Sequence, residues 1–152
     1  MEKAKGIDVS HWQGRIDFDK VKSQGYSFVM INAGYGKYIS QKDENFEKNY
    51  AAARKAGLNI GTYWYSYALT EADALAEAKT FLEAVKGKKF EYPLAFDMED
   101  SSQSELPNTA ISKIIEAFCN YLENNGYYAA VYSYANFFKR KVSDSVKSRY
   151  DI

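Results

Sequence analysis

One cysteine, one histidine and two prolines stand in a chain of 152 residues. The lone cysteine, Cys119, excludes a disulfide within the chain. Its place in a helical apolar pattern marks it as a packing residue rather than a reactive thiol. One histidine and one cysteine do not make a zinc site. An excess of charge is missing too: twenty basic and twenty acidic residues balance. Nothing therefore recommends nucleic acid or an anionic membrane as the partner. No apolar run approaches the roughly 20 residues of a membrane span. Met1-Glu-Lys-Ala-Lys5 leads straight into Gly6-Ile-Asp-Val9 with no apolar stretch between them, so no secretory leader is expected in this chain.

What is present is a large apolar fraction, 46%, in a length that suits one domain. Residues 1–152 are read as a single unit with a real core. Aromatic residues reach 16%, and the 14 tyrosines outnumber the 9 phenylalanines and 2 tryptophans. Such a balance favours rings that bury a face and keep a polar tip in water.

Strand and helix patterns alternate along the chain. Short apolar strands are expected at 6–9, 28–33, 58–65, 92–97 and 128–133, and helices at 17–24, 45–56, 70–85 and from 107 to Gly126. Further helices are expected at 135–140 and 144–150. Phe46, Tyr50 and Ala53 share one helical face, as do Leu75, Ala78, Leu82 and Val85, and then Ile111, Ile115, Phe118 and Leu122. Gly25, Gly57, Gly87 and Gly126 stand where these helices should stop. The strands begin 22, 30, 34 and 36 residues apart, the size of successive β/α units around a parallel sheet. A closed eight-unit barrel takes about 250 residues, so the expectation is α/β, an incomplete (β/α) barrel or open sheet of about five parallel units.

Chemistry in such folds gathers at the carboxyl ends of the strands. Those ends carry Asp8, then Asn32 and Tyr35, then Tyr63 and Tyr65, then Asp97 and Glu99, then Tyr132. Asp97-Met98-Glu99 closes the apolar run Tyr92-Pro-Leu-Ala-Phe96. Residues i and i+2 of a strand face one way, so the two carboxyls should leave one strand end side by side. Like charges that close resist joint ionisation, and one keeps its proton near neutral pH. An acid beside an anion is what cleavage of a glycosidic bond requires. Asp8 taken alone is equally a loop cap, and Asp100 reads as a helix-approach or solvated residue. His11 has the chemistry of a general base, but beside Trp12 it reads as structural. Trp12 is either a sugar-stacking ring or a plug at the bottom of the rim. Trp64, between Tyr63 and Tyr65, should face the helices. Gly34-Tyr35-Gly36 reads as a flexible loop. The acid pair alone would also suit Mg²⁺ or Ca²⁺, although no histidine completes a hydrolytic metal set. No cofactor is expected.

Gly6-Ile-Asp-Val-Ser-His-Trp-Gln-Gly14, Asp17-Phe18, Gly61-Thr-Tyr-Trp-Tyr65, Ala95-Phe-Asp-Met-Glu99 and Val131-Tyr-Ser133 together resemble glycoside hydrolase family 25, the muramidases called Chalaropsis-type lysozymes. The resemblance runs through essentially the whole chain in order. It implies a TIM-like glycosidase barrel of about eight strands, and hydrolysis of the β-1,4 bond between N-acetylmuramic acid and N-acetylglucosamine in peptidoglycan. It implies that Glu99 is the general acid. Asp97 would orient the substrate's 2-acetamido group, whose oxygen attacks the anomeric carbon, and Asp8 would be a further site carboxylate. Trp12, Tyr35, Tyr63, Tyr65 and Tyr132 would contact the glycan, outside the cell or in its wall. Double displacement on an enzyme carboxylate and inversion through an activated water also fit the residues. Members of the family run further at the C-terminus, and this chain ends about where a sixth strand would begin. Three outcomes are expected: a partner chain such as a second copy covers the open barrel edge, the C-terminal helix folds over it, or the domain is marginally stable. An inactive or weakly glycan-binding member is the alternative to an active enzyme.

Overall fold

The computed structural model describes residues 4–133 and 135–149. Strands and helices alternate as β1 (Gly6–Val9), α1 (Phe18–Ser23), β2 (Phe28–Tyr35), α2 (Phe46–Lys55), β3 (Asn59–Tyr65), α3 (Glu71–Ala84), β4 (Leu94–Asp97), α4 (Asn108–Asn124), β5 (Ala129–Tyr132), α5 (Ala135–Lys141) and α6 (Asp144–Arg149). The expected last helix ran to Tyr150, which lies outside the described residues. The five strands form one parallel sheet in the order β1-β2-β3-β4-β5. Sequential neighbours in parallel order are what repeated β/α units produce.

Alternation along each strand sorts side chains between two faces. Val29, Ile31, Ile60, Trp64, Leu94, Phe96 and Val131 join the helices in one continuous core. Aromatic rings carry much of it: Phe96 stacks on Phe118 with centroids 4.2 Å apart, and Trp64 on Phe81 at 5.4 Å. Such pairs add about 0.5–1.5 kcal/mol each beyond the area they bury. The other face holds a smaller cluster, Met30, Ala95 and Ala130 with Phe28, Tyr63, Tyr92 and Tyr132, to which no helix contributes among the described residues. Trp64 thus faces the helices, as its position between two tyrosines predicts.

Three expectations change. Leu75 is 37% exposed and Leu82 half-buried; Ala78 and Val85 are buried as expected, but Ala74, Glu77, Phe81 and Ala84 complete the buried face of α3. The apolar stripe is rotated by about one residue, because Phe81 offers the core more surface than Leu82. Gly34 and Tyr35 are not loop but the end of β2, after a bulge between Asn32 and Gly34. Glycine suits that bulge: its φ is +152°, and a Cβ there would lie 2.6 Å from the Trp64 ring. Finally, β4 starts at Leu94 rather than Tyr92. Pro93 has no N–H for the ladder, and the N–H groups of Glu91 and Tyr92 both turn to Ile60 O, at 3.0 and 3.1 Å.

The helix ends follow their capping residues. Asp17 accepts from Lys20 N at 3.1 Å and Thr70 from Asp73 N at 3.0 Å. Replacing Thr70 with alanine removes the cap of α3. The expected cost is about 1 kcal/mol, a fall in Tm of about 2–4 °C in thermal denaturation followed by circular dichroism. An unchanged Tm would mean that water satisfies the Asp73 amide equally well.

Candidate active site

Parallel order brings the five carboxyl ends of the strands to one edge of the sheet. In the register, Tyr65 lies opposite Asp97 and Asp97 opposite Tyr132, with Asn32, Tyr63, Ala95 and Ala130 in the row below. Beyond β4 the chain stays extended, because Met98 N donates to Tyr132 O at 2.9 Å. Met98 is buried in the helix-side core beside Leu94 and Phe96. Its neighbours Asp97 and Glu99 are thereby turned to the opposite face.

There a cavity of about 360 Å³ is lined by Asp8, Tyr63, Asp97, Glu99, Tyr132 and Ser133, a volume suited to a small ligand. Five residues singled out in the sequence therefore meet in one place. A larger depression, about 970 Å³ between residues 14–19 and α2, sets the exposed Asp17 and Asp19 among Arg15, Lys48 and Lys55, so its acids are not buried against one another.

Asp97 is 6% exposed, and its Oδ1 is buried without a hydrogen-bond partner. Burial pushes its carboxyl up to about 8, helped by the charge of Glu99, a hydrogen bond with Glu99 and the charge of Asp8. A hydrogen bond between two carboxyls needs a proton, so the pair holds one between them near neutral pH. The shared proton belongs to the pair rather than to either residue. Asp97 is the more deeply withdrawn of the two, and Glu99 is half-buried. Asp8 is raised by burial of its carboxyl, although the residue as a whole is open to solvent. Burial also raises the phenols of Tyr63 and Tyr132, followed by the charges of Asp8 and Asp97. Both stay protonated and can donate to a ligand.

Tyr35, Tyr65 and Trp12 do not line this cavity. The Tyr65 hydroxyl donates to Asp100 Oδ1 at 3.1 Å. Its ring lies 5.0 Å from that of Tyr67, which meets Tyr35 edge-on at 6.0 Å. Tyr67 escaped the sequence reading, although it continues the i+2 series Tyr63, Tyr65. Trp12 is 82% exposed against His11, so it plugs nothing. His11 Nδ1 meets the buried Asp43 Oδ2 at 2.6 Å. Asp43 also accepts from His11 N at 3.2 Å and Asn45 N at 2.9 Å. This pair ties the turn after β1 to the segment after β2, a structural role. Asp100 caps the short turn Ser101–Gln103. Among the described residues, no group of three His, Cys, Asp or Glu side chains is placed to hold a metal ion. Nor is any helix long and apolar enough to cross a membrane.

A parallel α/β sheet with an acid pair and an aromatic surround at its carboxyl edge has the layout of a glycosidase site. Residues 7–152 match the model of the glycosyl hydrolases family 25, and the chain belongs to that family. It is 34% identical over 143 residues to the autolytic lysozyme of Clostridium acetobutylicum, covering 94% of this chain and 42% of that protein. Among solved structures, the bacterial lysozyme from Streptomyces coelicolor superposes with a TM-score of 0.78 at 30% identity, over 91% of this chain and 66% of that one. The modular autolysin LytC from Streptococcus pneumoniae gives 0.80 at 26% identity, over 91% and 34%. The chain thus spans under half the length of that clostridial relative.

Proposed function

We propose that this chain is the catalytic part of a peptidoglycan hydrolase, an N-acetylmuramidase acting at the cell wall. Its target would be the β-1,4 bond between N-acetylmuramic acid and N-acetylglucosamine. One observation carries the reading: Asp97 offers a buried acceptor, Oδ1, with no partner, inside a cavity of sugar size. An unpaired buried acceptor costs about 1–3 kcal/mol, and the N–H of a 2-acetamido group is a donor that would relieve it.

The reaction then follows from the shared proton. A hydrogen bond from the acetamido N–H favours the ionised form of Asp97, so the proton passes to Glu99. Glu99 protonates the glycosidic oxygen as the C1–O bond breaks. The acetamido oxygen, steered by Asp97, forms the new bond to C1, and the Asp97 charge stabilises the positive charge spreading over the ring. Water then attacks C1 with Glu99 as base, which restores the acetamido group and returns the proton. Asp8 holds the sugar from the other side of the cavity. The exposed rings of Tyr35, Tyr67 and Trp12, with the half-buried Tyr65, give adjoining sugars faces to stack on.

The test is direct. Purified peptidoglycan digested by the protein is reduced with borohydride and the products are identified by mass spectrometry. Reduced N-acetylmuramic acid at the new ends is expected. Reduced N-acetylglucosamine, or no new ends, would refute the assignment.

A further inference from the structure

Behind the acid pair, on the helix side of the sheet, lies a third carboxyl that the chemistry above leaves unused. Glu77 of α3 is 1% exposed, on the face that carries Ala74, Ala78 and Phe81 into the core. Its Oε1 accepts from Ser66 Oγ at 2.6 Å and its Oε2 from Tyr67 N at 2.9 Å. Ser66 Oγ receives Ala68 N at 3.0 Å and Gln103 Nε2 at 3.1 Å. Both lone pairs of that hydroxyl are thereby filled, so its own hydrogen is committed to Glu77. Gln103, fully buried, also donates to Ala68 O at 3.0 Å and accepts from Asp100 N at 3.3 Å. Ser66 N donates to Asp97 O at 2.9 Å.

Every bond in this network has one direction, and Glu77 must accept at both oxygens. The network grips the backbone on either side of Glu99, at Asp97 O and at Asp100 N. We propose that Glu77 is a positioning residue: through Ser66 and Gln103 it fixes the path of residues 97–100 and so aims Glu99 at Asp97. The charged groups facing it are Asp73 on its own helix and Lys37 from the segment after β2. Burial pushes Glu77 up to about 7, against the two bonds that favour its ionised form.

Glu77→Gln keeps the volume but turns an NH₂ toward either Tyr67 N–H or Ser66 O–H, both donors. The control is Ala78→Gly, on the same helix and buried but outside the network, with an expected cost of about 1 kcal/mol. Two readouts are taken: the titration of Asp97 by carboxyl ¹³C NMR, and kcat and KM on peptidoglycan, the latter resting on the function proposed above. Glu77→Gln should move the Asp97 midpoint by about half a pH unit or more. It should also lower kcat about 10-fold with KM within about twofold. Ala78→Gly should lower Tm and leave both readouts in place. A Glu77→Gln protein that loses Tm but titrates and turns over like the parent overturns the proposal. If the parent itself releases no sugar, the muramidase reading fails and the titration still decides the role of Glu77. Should Glu77→Gln not fold, Ser66→Ala breaks the same link. It must shift the Asp97 titration likewise, and an unmoved midpoint there overturns the proposal too.

Discussion

Glu99→Gln is expected to lower kcat on peptidoglycan by about 10²–10⁴-fold while KM changes little. The amide has the size of the carboxyl and still hydrogen-bonds Asp97, but it has no proton to give the leaving oxygen. The same substitution reports on the pair. The charge of Glu99 and its hydrogen bond are two of the forces that push Asp97 up to about 8. Removing the charge should bring the Asp97 midpoint down. Burial, the largest cause, remains, so the midpoint should stay above the ordinary aspartate value of 3.8. A variant that cleaves as fast as its parent would strip Glu99 of the acid's role. An unmoved Asp97 titration would show that the two carboxyls do not share a proton.

Asp97→Asn should abolish turnover and make the protein more stable in alkaline solution. Unfolded, Asp97 titrates near 3.8; folded, near 8. Between those values the folded state binds the extra proton. The Asp97 contribution to stability is fully present below about pH 4, falls as pH rises, and levels off above about pH 8. Asparagine carries no such proton and removes that slope. At pH 9 the variant should exceed the parent by on the order of a few kcal/mol, each worth about 2–4 °C in Tm. Its advantage at pH 5 should be much smaller. Glu77 adds a slope of the same sign, up to about pH 7, but it is common to both proteins and drops out of the difference. Parallel Tm curves for the two proteins from pH 5 to 9 would mean that Asp97 is not held protonated.

How much of this was legible beforehand differs from element to element. In α4 the spacing of Ile111, Ile115, Phe118 and Leu122 predicts one apolar face, and all four are buried. A long helix with a strong apolar stripe has a single way to lie on a sheet. The alternation of Tyr63, Trp64 and Tyr65 likewise fixed which ring meets the helices. On α3 the same reasoning slipped, since small alanines and a buried glutamate do not stand out as an apolar face. Glu77 was invisible for that reason: periodicity counts an acid as a solvent residue, and only its partners on β3 and beyond β4 make its burial tolerable. Asp43 was missed similarly, because its partner His11 lies in another loop.

The order of residues alone determined the parallel β/α plan and the companionship of Asp97 with Glu99, because both follow from spacing along one segment. Tertiary structure decided that Asp8, Tyr63 and Tyr132 join them, and that Asp97 is the more deeply buried of the pair. Those outcomes depend on how deeply each group is withdrawn from water by chain remote in sequence, a quantity no local pattern contains.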